Sequence, residues 1–475
     1  MPRKRRGFGQ AEPPASKRLL DGIRDLSRPL RNAADLDPLL DRIGDARYVL
    51  LGEASHGTHE YYAWRDALCR RLIEEKGFSF VAVEGDWPDC YRVNRYVRGC
   101  PDAGGDAREV LQQYDRWPTW MWANEEAASF AHWLRVHNDR QSPEQKVGFF
   151  GLDVYSLWDS LYQVLRYLGK HDPAALPAAR KAFQCFEPFA KDAQEYARST
   201  SWFNDSCADE VVELLKKIRG AAQGYPQDGD GDRFNVEQNA LVVKNAEHYY
   251  RTMAKGGPDS WNIRDGHMSE TLDRLMQHHG PNAKAIVWAH NTHIGDARFT
   301  DMAADSMVNL GQLVREEHAE ETVLVGFGSY RGNVIASEEW EAPMRSMDVP
   351  TARQDSWEEL FHRVGPEDRL LILDDARSNE DFLEERGHRA IGVVYNPDYE
   401  HLGNYVPTVL PLRYDAFLYF DRSEALHPLH MPAASREEIP ETYPTGVWAA
   451  GSSCAPFAAR GGETGHASDG VRLAC

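Results

Sequence analysis

The chain is expected to form an α/β protein: a central, mainly parallel sheet flanked by helices and carrying a large helical insertion. Three observations lead there. Short apolar runs alternate with longer segments of helical period, as in a sheet packed between helices. Four of those runs end in acids or histidines, the ends at which open α/β sheets bind ligands. One long interior stretch keeps a helical period with no convincing strand.

The elements follow in chain order. Residues 1–18 open with MPRKRR and continue GFGQAEPPASK, with no apolar run behind the charges; they read as an unstructured basic tail, not a secretory signal. ARYVLLGE is the first strand run, and THEYYAWRDALCRRLIEEKG follows, with Tyr61, Trp64, Leu68 and Leu72 at helical spacing and Gly77 placed to end the helix. FSFVAVEGD and KVGFFGLD are the next two runs, so residues 19–155 form the first part of an α/β core. Residues 156–280 are the helical insertion, exemplified by ADEVVELLKKIRGAAQGY and NVEQNALVVKNAEHYYRTMAK. PQDGDGDR inside it has calcium-loop composition but no glutamate at the required offset, so it reads as a polar turn. KAIVWAH, TVLVGFG, RLLILD and AIGVVYN return to strand pattern and make residues 281–445 the second part of the core. The Gly-rich, aperiodic residues 446–475 read as a second tail.

Composition bounds the function. Of 475 residues, 42% are hydrophobic and 11% aromatic, enough apolar material for most of the chain to fold. A net charge of -20 argues against general binding to nucleic-acid phosphates, which requires a cationic face. No window has the length of apolar sequence that a transmembrane helix needs. The seven cysteines, at 69, 90, 100, 185, 207, 454 and 475, are odd in number and lack a C-x-x-C pair. They point to reduced thiols in a cytoplasm, with neither disulfides nor a zinc–thiolate centre.

The chemistry concentrates at four strand ends: Glu53 and His56, Glu84 and Asp86, Asp153, and His290 with His293. Any one of them alone is better explained as a cap or a loop hydrogen bond. Together they are explained once by a site, provided that the strands are adjacent and parallel. A histidine oriented by a carboxylate is a general base able to take a proton from water. Ser55 fits a nucleophile poorly, because Glu53 stands where G-x-S-x-G has its first glycine; it is expected to cap the following helix. Arg65 is placed to position a carboxylate or to stabilise an oxyanion. Asn262, Arg264, Asp265 and His267 stand before a helix of good period, as a cap or as one wall of the cleft. Trp202, Phe203, Tyr249, Tyr250 and Trp261 are aromatics that read mainly as core. Two other readings use the same groups. One is a metal-dependent hydrolase or phosphoesterase with Glu53, Glu84, His290 and His293 as ligands; the other is a protein that binds a small molecule or haem without turnover.

The segments GEASHGTHEYYAWRD, VAVEGDWPD, VNRYVRG, GLDVYS, NAEHYYRTM, WNIRDGHM, WAHNTHIGD and GFGSYRG, in this order, resemble the erythromycin esterase-like family. The resemblance implies an α/β core with a largely helical insertion, and a histidine base, carried here by His56, that activates water. Glu53, Arg65, Glu84, His290 and His293 match the family's other polar site positions. Some members hydrolyse the lactone ester of macrolide antibiotics, which would give the chain a part in antibiotic resistance. The expectation is a cytoplasmic hydrolase that acts on an ester or lactone bond of a small molecule, with no nucleic-acid or membrane partner. His56, held by Glu53 or Glu84, would deprotonate water; Arg65 and His290 or His293 would stabilise the oxyanion or protonate the leaving group. Asp153, Asn262, Arg264 and Asp265 would bind substrate. No cofactor is required, with a divalent ion as the alternative.

Overall fold

The computed structural model describes residues 14–189, 193–203, 206–221 and 232–429. Most of the basic tail, residues 226–231 of the PQDGDGDR turn, the side chains of Trp202 and Phe203, and the C-terminal tail lie outside them. At the start, Ser16 caps a helix over Lys17–Leu26, so the last residues of the expected tail belong to the folded core.

The strands are β1 (Ser27–Pro29), β2 (Tyr48–Leu51), β3 (Phe80–Asp86), β4 (Gly148–Asp153), β5 (Ala285–Trp288), β6 (Thr322–Ala336), β7 (Arg345–Val349), β8 (Arg369–Ile372), β9 (Arg386–Arg389), β10 (Tyr405–Thr408) and β11 (Ala416–Ser423). The main sheet runs β1-β8-β11-β6-β2-β5-β3-β4, with β7 paired to the far end of β6 and β9 and β10 forming a separate ladder. From β11 to β4 every pairing is parallel; β8 and β1 are antiparallel additions at one edge. The adjacency that the strand ends required is therefore present: β2, β5, β3 and β4 are consecutive neighbours.

Burial on both faces explains the uninterrupted apolar runs. Val49, Leu51, Val81, Val83, Ile286 and Trp288 face one core, while Tyr48, Leu50, Phe80, Ala82, Ala285 and Val287 face the other. The helix His59–Lys76 links β2 to β3 and ends at Gly77, whose φ of 67° suits a residue without Cβ. Between β4 and β5 the described residues are helical, including Leu157–His171, Asp232–Met253 and Asp259–His279. Most of these helices bury a core of their own, in which Leu161, Leu214, Val243, Tyr249 and Tyr250 pack.

Two expectations need correction. AIGVVYN is not a strand: Ala390, Ile391 and Tyr395 are buried, the Ile391 amide bonds the Ala54 carbonyl and the Tyr395 amide bonds the Ser337 carbonyl, so it lines the end of the sheet as a loop. The strand next to β6 is instead AFLYFDRS, β11. Cys185 and Cys207 are joined in a disulfide, with Cα atoms 5.9 Å apart, between the end of one insertion helix and the start of another. Cysteine spacing carried no signal for that proximity, whereas Cys69 and Cys90 are buried free thiols.

The half-buried His279 ring, 4.7 Å from Phe80 and 5.6 Å from Phe150 between centroids, gives a pH prediction. Burial pushes its pKa down to about 4, from 6.5. Between those values the unfolded chain binds a proton that the folded chain does not, so stability falls as pH falls, by up to about 1.4 kcal/mol per pH unit. Thermal melts from pH 6.5 to 4.5 should show a shallower decline in His279→Leu than in the wild type.

Candidate active site

β2 stops at Leu51, and residues 52–58 turn into the helix His59–Lys76, bringing Glu53 and His56 to the carboxyl edge of the sheet. His56 Nδ1 lies 2.8 Å from Glu53 Oε1. A carboxylate accepts only, so Nδ1 carries a proton, and in the neutral ring the lone pair is on Nε2. That Nε2 is 4.0 Å from Glu84 Oε1. Arg65 Nη2 donates to the other oxygen of Glu53 at 2.7 Å. Arg65 is fully buried behind Glu53, with its guanidinium 4.3 Å from the Tyr62 ring and 4.8 Å from the Trp288 ring. The bond that the structure shows is the one that positions the Glu53 carboxylate.

Ser55 is not the helix cap. Its hydroxyl meets the Thr58 hydroxyl, and Thr58 holds the N-cap position without a side-chain capping bond. The turn is fixed by its backbone instead: the Gly57 carbonyl accepts from the Ile335 amide at 2.9 Å and the Leu426 amide at 3.0 Å. A Cβ at Gly57 would lie 1.9 Å from the Ile335 carbonyl oxygen. Gly57→Ala should therefore shift the His56 turn, costing roughly 1–3 kcal/mol as overpacking does, and lower both melting temperature and kcat.

Glu84, two residues before the end of β3, gathers the rest. Its Oε2 accepts from the His290 amide at 2.8 Å, and its Oε1 accepts from Arg264 Nη2 at 2.8 Å. Arg264 also grips Asp153, at the end of β4, through Nε at 3.0 Å and Nη2 at 2.7 Å, the two-pronged contact that a planar guanidinium favours. The Tyr155 ring lies 4.8 Å from Arg264 and 4.6 Å from Arg116, between two guanidinium groups. Burial opposes the charge on Glu84, but His293, His56 and Arg264 hold its pKa well below the carboxylate range.

His293 Nδ1 is 3.0 Å from both oxygens of Asp265, its Nε2 is 3.4 Å from Glu84 Oε1, and its ring stacks on Trp261 at 4.5 Å. Burial works against a proton on His293, yet Asp265 and Glu84 raise its pKa to about 10. His290 is the opposite case. Burial and the nearby His56 push it well below the usual imidazole range, outweighing Glu84 and the Ala54 carbonyl. Its Nδ1 accepts from the Thr292 amide at 3.3 Å and meets the Thr292 hydroxyl at 2.8 Å. The neutral ring's proton is then on Nε2, which is buried, has no hydrogen-bond partner, and belongs to a ring 5.0 Å from that of His56.

The structure thus brings together Glu53, His56, Glu84, Asp153, Arg264, Asp265, His290 and His293, with Arg65 behind them. It does not bring Asn262. That side chain donates to the Ser306 carbonyl and accepts from the Val308 amide, tying its helix to a neighbouring loop. The expected helix boundary was also late: Asn262, Arg264, Asp265 and His267 lie within Asp259–His279. Trp261 is core as expected, packed with Ala297, Met302 and Met307, and also stacks on His293; Tyr155 and Trp288 carried no signal beyond nearness to a strand end.

The profile of the erythromycin esterase family matches residues 73–423. The chain belongs to the erythromycin esterase family. It is 24% identical over 333 residues to erythromycin esterase type II of Escherichia coli, covering 66% of this chain and 75% of that protein. It is 22% identical over 309 residues to a putative hydrolase of Bacillus subtilis (strain 168), covering 61% and 66%. A solved succinoglycan biosynthesis protein superposes with a TM-score of 0.69 at 22% identity, over 86% of this chain and 98% of that one. An erythromycin esterase mutant in its open conformation superposes with a TM-score of 0.61 at 16% identity, over 83% and 95%. These two likenesses concern the fold. Family membership makes the chain a hydrolase of the erythromycin esterase family, while Glu53, His56 and Arg65 stand upstream of the matched span.

As a cation-binding set, Glu53, Glu84, His290 and His293 fit poorly. The Glu53 oxygens face His56 and Arg65, the Glu84 oxygens face Arg264 and the His290 amide, and the His293 ring lies between Asp265 and Arg264, 3.1 Å from its Nη1. Two guanidinium groups already occupy the place of an ion's charge. No helix among the described residues is long and apolar enough to cross a membrane.

Proposed function

We propose that this member of the erythromycin esterase family hydrolyses a carboxylic ester or lactone of a small molecule by direct attack of water. The observation that carries the reading is the Glu53–His56 pair: Nδ1 is fixed on a carboxylate 2.8 Å away and Nε2 is left as base. His56 Nε2 takes a proton from water, the resulting hydroxide adds to the carbonyl carbon, and the imidazolium is stabilised by Glu53 and by Glu84 at 4.0 Å. The neutral His290 supplies Nε2–H as a donor to the developing oxyanion, a role its lowered pKa suits. The imidazolium of His56 then returns its proton to the leaving alkoxide. Arg264 and His293, themselves held by Asp153 and Asp265, keep Glu84 ionised and in place.

A panel of carboxylic esters, lactones and phosphoesters tests the reaction class, and Ser55→Ala tests the nucleophile. Turnover is expected among the carboxylic esters or lactones, at near wild-type rate in Ser55→Ala, with no acyl adduct on the chain after acid quench. Turnover of phosphoesters alone, or a trapped acyl-serine, would overturn the proposal.

A further inference from the structure

A second cluster lies outside the crevice. His59 is the first residue of the helix His59–Lys76, Glu126 is in the first turn of the helix Glu125–Asn138, and His427 is in the segment that follows β11. His59 Nδ1 is 2.6 Å and His427 Nδ1 is 2.7 Å from the same oxygen, Glu126 Oε1. The two rings stand nearly perpendicular, at 84°, with centroids 5.5 Å apart. One nitrogen from each histidine and one carboxylate oxygen all lie within 4.8 Å of one another.

We infer that His59, Glu126 and His427 form a binding site for a divalent transition-metal ion of the zinc class, separate from the ester-cleaving crevice. Two imidazoles and one carboxylate are a donor set that Zn²⁺ accepts, and bonds of roughly 2.0–2.2 Å to a central ion require ligand atoms about 3.4 Å apart. A small outward relaxation of two side chains from one shared oxygen provides that separation. The carboxylate is nearly buried, at 7% side-chain exposure, whereas the histidines are 37% and 60% exposed, so an ion has an open side for entry and for a fourth ligand from solvent. Glu60 and Glu424 flank the cluster and add negative potential: the Glu424 amide donates to Glu60 Oε2 at 2.9 Å, and the His59 amide donates to the Glu424 carbonyl at 2.8 Å. The ligand backbones are already fixed, because the Glu125 amide bonds the His427 carbonyl at 2.9 Å. Binding releases whichever imidazole protons are shared with Glu126 and joins three separate pieces of chain, which stabilises the folded state by linkage.

The experiment is calorimetric titration of chelator-stripped full-length protein with Zn²⁺, accompanied by thermal melts and by the absorption spectrum of the Co²⁺-loaded protein. One equivalent should bind, raise the melting temperature and give a Co²⁺ spectrum of low coordination number. His427→Ala, which alters a side chain more exposed than buried, should bind on the order of tenfold more weakly or worse and lose the metal-dependent rise in melting temperature. Glu126→Gln should do the same. No binding by the wild type, or binding unchanged in His427→Ala, would overturn the inference. None of these readouts involves ester hydrolysis, so the two proposals stand or fall separately.

Discussion

His56→Asn is expected to reduce kcat for ester hydrolysis by about 10²–10⁴-fold, with the melting temperature held within a few degrees of wild type. Asparagine keeps a donor for Glu53 but has no lone pair of imidazole basicity at the position of Nε2, so water is no longer deprotonated. The substitution is structurally mild, because the turn is held by the Gly57 carbonyl and not by the His56 ring. Circular dichroism and steady-state kinetics on the same preparation separate the two effects. A folded variant retaining most of its activity would remove His56 from the chemistry.

Arg264→Ala carries the largest expected effect on stability. The guanidinium is 97% buried and is shared by Glu84 and Asp153, two carboxylates that are themselves buried. Deleting it leaves their charges facing each other out of water, a loss of about 3–5 kcal/mol of the kind seen when one partner of a buried pair is removed. The variant should melt well below the wild type. Arg264→Lys should recover only part, since an ammonium is a point donor and cannot hold both carboxylates in the forked geometry. Neutralising Glu84 and Asp153 together, as Glu84→Gln and Asp153→Asn in the Arg264→Ala background, should raise the melting temperature again. An unchanged melting temperature in Arg264→Ala would show that this network does not support the fold.

The four strand ends were legible because each combines an uninterrupted apolar run with a polar stop, a pattern produced by parallel strands buried on both faces. Their neighbour relations were not, because pairing of β2 with β5 joins residues separated by more than two hundred positions and leaves no local mark. AIGVVYN and AFLYFDRS show the limit in both directions. Both are apolar runs, but AFLYFDRS pairs along β6 whereas AIGVVYN makes only isolated bridges. β9 reads RGHR and has no apolar pattern at all. It is buried because Arg389 bonds Glu400 and His388 bonds Glu358, partners that its own sequence does not announce. At the site the same reasoning explains Asn262 and Arg65: residue type suggested polar work, but whether a side chain faces the crevice or the protein behind it depends on packing that composition does not encode.

The backbone bonds to the His56 turn also have a temporal side. Gly57 is held by Ile335 and Leu426, and Thr58 bridges to Ala425, so the residues that fix the N-terminal half of the crevice are made hundreds of positions after it. While the chain emerges from the ribosome, the first strand and helix can collapse, but the His56 turn lacks its Leu426 and Ala425 contacts until the segment after β11 has been made. Catalysis should therefore be the last property the protein acquires, and a chain that stops short of β11 should be inert even where its earlier segments have folded.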